Sequence, residues 1–89
     1  VINEDLVNYM EKNFNKQKKT MLVSFGQPNL ANLSVEMQNE LTKLADARKM
    51  ISKALLADKS NVDLLNLLDF TQQQELKLLE QLYRQYQVI

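Results

Sequence analysis

Apolar residues recur every three or four positions through three separate stretches of the chain, the spacing that gathers them on one face of an α-helix. In the first stretch the stripe is Leu6, Met10, Phe14, Met21 and Phe25, widened by Val7 and Leu22. In the second it is Met37, Leu41, Leu44, Ile51 and Leu55, and in the third Leu65, Leu68, Leu76, Leu79, Tyr83 and Tyr86. Two breaks separate these runs. At Gly26-Gln27-Pro28-Asn29 the glycine can close a helix in the left-handed conformation and the proline cannot continue one. At Ala57-Asp58-Lys59-Ser60-Asn61 either Ser60 or Asn61 is placed to cap the helix that follows.

The pattern predicts one domain of three helices, over residues 3–25, 34–57 and 62–86. Each is roughly 33 to 37 Å long at 1.5 Å per residue. Glu4 and Asp5 lie at the positive end of the first. The second starts either near Leu30 or directly after Ser34, an N-cap candidate. Short connections make consecutive helices antiparallel, so the expected fold is all-α: an up-down-up three-helix bundle with crossing angles near about 20°. The third helix carries Leu64, Leu67, Leu78 and Leu82 beside its main stripe. This surplus has two readings. Either the third helix is the central, most buried one, or its extra leucines form an interface completed by dimerisation.

Each stripe is interrupted by polar residues: Gln17 or Lys18 in the first helix, Arg48 in the second and Gln72 in the third. Antiparallel packing brings Arg48 and Gln72 to similar heights, whereas Gln17 is offset from them. A polar layer could bind a ligand or sense a partner, since a buried guanidinium requires acceptors. The alternative, and the expectation, is that Arg48 packs its methylenes at the stripe's edge with its head in water, while Gln72, within Thr71-Gln72-Gln73-Gln74, fixes register.

Composition narrows the function. Hydrophobic residues make up 45% of the 89, and Gly and Pro occur once each, which suits a folded helical domain and excludes a sheet protein needing many turns. There is no cysteine and no histidine, which removes disulfides, thiol nucleophiles, Cys/His zinc sites and imidazole bases. The acidic residues are scattered: Glu36 and Glu40 lie one turn apart, and Glu80 with Arg84 or Glu40 with Lys43 are ordinary surface helix pairs. The expectation is a chain that is not an enzyme and has neither metal nor cofactor. Eleven basic and eleven acidic residues cancel, leaving no net field toward nucleic acid or anionic membrane. Lys12, Lys16, Lys18 and Lys19 concentrate positive charge on the first helix without interleaved arginine or stacking aromatics, so they read as a solvated face and no nucleic-acid partner is expected. No run approaches the roughly 18 to 20 apolar residues of a membrane span.

The succession Tyr9, Met21-Leu22-Val23-Ser24-Phe25, Leu44-Ala45-Asp46-Ala47-Arg48-Lys49-Met50-Ile51 and Leu64-Leu65-Asn66-Leu67-Leu68 resembles the extracytoplasmic helical domain of membrane-anchored anti-sigma-factor-type regulators. Here the leucine pairs lead into Phe70-Thr71-Gln72-Gln73-Gln74 before Glu75 and Leu76, where that family runs directly into a leucine-glutamate continuation. The resemblance implies a sensory or interaction domain of a transcriptional regulator, periplasmic or extracytoplasmic, with a membrane anchor upstream of Val1. The competing expectation is a small cytoplasmic helical adaptor or secretion chaperone that binds a partner protein through helix-helix packing. Both readings make the partner a protein or a second copy of the chain.

Overall fold

Helix boundaries are set where side chains take over backbone groups that the helix leaves unpaired. The computed structural model describes residues 2–25 and 33–85, folded as α1 (Ile2–Phe25), α2 (Val35–Ala57) and α3 (Val62–Gln85). Ser34 is the N-cap of α2: its backbone is extended and its Oγ accepts from the Met37 N–H at 3.2 Å. The Gln38 side-chain amide reaches back to donate to the Leu33 carbonyl at 3.0 Å, pinning the residue before the cap. Of the two candidate starts, this is the one after Ser34. The break at Gly26 to Asn29 lies outside the described residues.

At the other break Asn61 takes the capping role. Its Oδ1 accepts from the Leu64 N–H, and its Nδ2 donates to Asp58 Oδ2, both at 3.0 Å. The Asp58 N–H still donates to the Ala54 carbonyl at 3.2 Å, so α2 ends and α3 begins within four residues. That short turn enforces the antiparallel α2–α3 pair.

The three helices form an up-down-up bundle in which α3 packs against both others, while α1 and α2 meet each other only sparsely. Its extents are 46 × 25 × 15 Å, a flattened rod rather than a sphere. At the end holding the Asp58–Asn61 turn, Val7, Ile51, Leu55 and Leu68 form a buried cluster, with Met10, Leu64 and Leu65 packed on it. Phe14, Leu68, Leu76, Leu79, Leu82 and Tyr83 continue the interior along the rod. Each fully buried side chain of this size contributes about 1.5 to 3 kcal/mol of transfer free energy.

Two expectations about the stripes are corrected. Val7 is buried and Leu6 is 39% exposed, because the stripe centred on Phe14 runs back through Met10 to Val7, two helical turns away, and leaves Leu6 to one side. Leu82, which the dimer reading places at an outer interface, is 1% exposed and belongs to the core, as the central-helix reading has it. It lies one turn from Leu79 on the side of α3 that faces the other helices. The central position of α3 thus accounts for Leu82 and for the partial burial of Leu64, but Leu67 stays 46% exposed and Leu78 half-buried.

Candidate interaction site

Two features stand apart from ordinary core packing. The first is a polar layer across the middle of the bundle. Glu75 of α3 is 4% exposed, and both of its carboxylate oxygens are engaged. Oε1 accepts from Arg48 Nε of α2 at 3.0 Å, and Oε2 faces Lys18 Nζ of α1 at 3.7 Å. One carboxylate therefore ties all three helices. The Lys18 ammonium lies 5.2 Å and the Arg48 guanidinium 4.6 Å from the centre of the Phe14 ring. Two cations against one carboxylate leave a positive excess, and the negative face of the buried ring stabilises it.

Gln72 is equally buried, and its amide donates to the Met10 carbonyl of α1 at 3.4 Å. Thr71 bonds its hydroxyl to the Leu67 carbonyl one turn back at 2.8 Å. Among the described residues no buried side-chain nitrogen or oxygen lacks a hydrogen-bond partner.

The expectation for Arg48 is overturned on one point: its side chain is 12% exposed and ion-paired, so its head is inside the bundle and not in water. Arg48 and Gln72 do occupy the same region, but each bonds to a different partner. Lys18, not Gln17, is the first helix's charged member. The polar interruptions of the stripes do not by themselves reveal Glu75. Its signal was available, since Gln72, Glu75 and Leu79 are spaced three and four apart and so share the face of α3 that holds the core. With both oxygens occupied and almost no solvent access, Glu75 suits fixing register rather than acid-base work or metal binding.

The second feature is the outer face of the α2–α3 pair. A shallow groove there is lined by Glu40 and Leu44 from α2 and by Phe70, Gln74, Lys77, Leu78 and Gln81 from α3. Phe70 is 61% exposed, and Leu67 continues the same face one turn earlier. Of the expected interface residues, Leu67 and Leu78 belong to this face, while Leu64 packs on the core cluster. Glu40 and Lys77 are exposed on opposite walls, and neither has an ion-pair partner among the described residues.

Elsewhere, a cleft between α1 and α2 includes Glu11, Lys49, Ser52 and Lys53, and the Ser52 hydroxyl donates to Glu11 Oε1. Lys12, Lys16 and Lys19 are exposed. Arg84 and Glu80 pair on the surface at 2.9 Å. Tyr83 is core, and burial raises its hydroxyl pKa above the ordinary 10.0; Tyr86 lies outside the described residues. Among the described residues no helix is long and apolar enough to cross a membrane, and no group of three or more acidic side chains is placed to hold a metal ion. No family model, curated protein or solved structure matches this chain.

Proposed function

We propose that this chain is a non-enzymatic protein-interaction domain whose docking surface is the outer α2–α3 face. The observation that carries the reading is the exposure of Phe70 at 61% and Leu67 at 46% beside the half-buried Leu44 and Leu78. Aromatic and aliphatic anchors around a shallow groove between two helices suit reception of a partner helix. The polar layer has a supporting role: it holds α2 and α3 in one register, so the groove keeps one shape. The placement of the domain outside the cytoplasm, in an anti-sigma-type transcriptional regulator, rests on the residue resemblance alone. Finding an apolar span of about 20 residues encoded upstream of Val1 would support that placement, and an initiator methionine directly before Val1 would overturn it.

A photo-crosslinking residue introduced at position 70 tests the reading in cells, with the same residue at Tyr9, 66% exposed on α1, as the off-face control. Protein adducts from position 70 that are absent from position 9 support it. Equal yields from both positions, or none from position 70, overturn it.

A further inference from the structure

We infer that the α2–α3 face receives a second copy of this chain, through a two-fold axis parallel to the helices. The inference rests on the docking reading above and names its occupant. Glu40 lies 17 residues before the end of α2 and Lys77 lies 15 residues after the start of α3. In an antiparallel pair joined by a short turn, these offsets put them about 26 and 23 Å from that turn, at nearly the same level. They stand on opposite walls of one groove, with no ion-pair partner within the described chain.

A two-fold axis running along the groove carries α2 of one copy over α3 of the other without changing levels. Glu40 of each copy then faces the partner's Lys77, so the pair forms twice. Leu44 and Leu78, which are half-buried and line the same groove, are covered by the same operation, and Phe70 sits over the partner's α2. Charge and apolar character are thus self-complementary under one operator, as an isologous interface requires. A two-fold axis perpendicular to the helices would set α2 on α2 and α3 on α3, and would not bring these opposite charges together at a common level.

The operator makes a specific prediction for charge reversal. Glu40→Lys alone gives a homodimer with two like-charge contacts, and so does Lys77→Glu alone. Mixing the two variants gives a heterodimer in which both contacts join opposite charges. Sedimentation equilibrium of the intact chain should show reversible dimerisation in the micromolar range, weakened about tenfold or more in each variant. An equimolar mixture should dimerise more tightly than either variant alone, and the Glu40→Lys/Lys77→Glu double variant should do so by itself. Circular dichroism checks that all are folded, which the exposure of both positions favours.

A native chain that is monomeric at several hundred micromolar overturns the proposal, as does a mixture no tighter than its components. If dimerisation fails while position 70 still crosslinks to a different protein in cells, self-association is overturned and the docking surface stands. If both fail, both are overturned.

Discussion

Removing one member of the Glu75 layer should cost stability in an order set by burial and distance. Glu75→Leu leaves Arg48, 12% exposed, and Lys18 together over the Phe14 ring with no anion between them. Breaking a buried pair in this way costs about 3 to 5 kcal/mol, a large part of the roughly 5 to 15 kcal/mol that holds a small domain folded. Arg48→Met removes the 3.0 Å bond to Glu75 Oε1 and keeps the methylene packing. Lys18 remains beside the other oxygen, so the cost falls to about 2 to 3 kcal/mol, near the loss of one charged hydrogen bond. Lys18→Met should cost less than about 1 kcal/mol, because the 3.7 Å contact is long and its ammonium side chain is 35% exposed. The Arg48→Met/Glu75→Leu double variant should lie within about 1 kcal/mol of the native chain or exceed it, since well-packed apolar residues replace a buried pair at little cost. Urea denaturation followed by helical circular dichroism measures all four, with unchanged m-values marking a true stability effect. Additive losses in the double variant would refute the argument, because uncoupled residues share no interaction to lose.

Leu68→Ala, at a position with no exposed surface, should cost about 2 to 5 kcal/mol by the same denaturation assay. Asn61→Ala removes the cap of α3 and the Asp58 contact and should cost about 1 to 2 kcal/mol, whereas Ser60→Ala should be nearly neutral. Tyr83 also makes stability depend on pH in the alkaline range. Because burial raises its pKa above 10.0, the hydroxyl is neutral in both states below that value and its contribution is fully present. Above it the unfolded chain ionises first and binds fewer protons, so stability falls as pH rises through the folded pKa. Thermal melts from pH 9 to 12 should show this loss reduced in Tyr83→Phe, which has no proton to release.

The helices were legible because their ends depend on local chemistry. Ser34 and Asn61 act on backbone groups three residues away, a range that sequence order displays directly. The central position of α3 was one of two open readings, since a count of leucines cannot say which face of a helix two neighbours will cover. Leu82 shows the ambiguity: beside the stripe in sequence, it is inside in space. The polar layer was half legible. Their distances to the turn put Arg48 and Gln72 at similar heights, but the arginine side chain is long enough to reach Glu75, nearly one turn beyond Gln72. Charge decided the partner, and a carboxylate satisfies a guanidinium better than an amide does. The Lys18 ammonium over Phe14 is legible as a pair four residues apart on α1, whereas the Arg48 guanidinium over the same ring is not, because it comes from α2, a helix that meets α1 only sparsely and is held beside it by α3.

An odd number of passes has a consequence for whatever adjoins this domain. With three helices running up, down and up, Ile2 and Gln85 lie at opposite ends of the rod, so segments continuing from them depart in opposite directions, separated by most of its 46 Å length. The domain is in this sense a spacer with a direction, whereas a two- or four-helix hairpin would return the chain to the side it came from. A two-fold axis along the rod preserves that polarity, since both leading ends then emerge on one side and both trailing ends on the other. Tension applied between the ends would load α1 and α3 in shear along their shared length, and the Lys18–Glu75 contact and the Gln72–Met10 hydrogen bond cross that sheared seam.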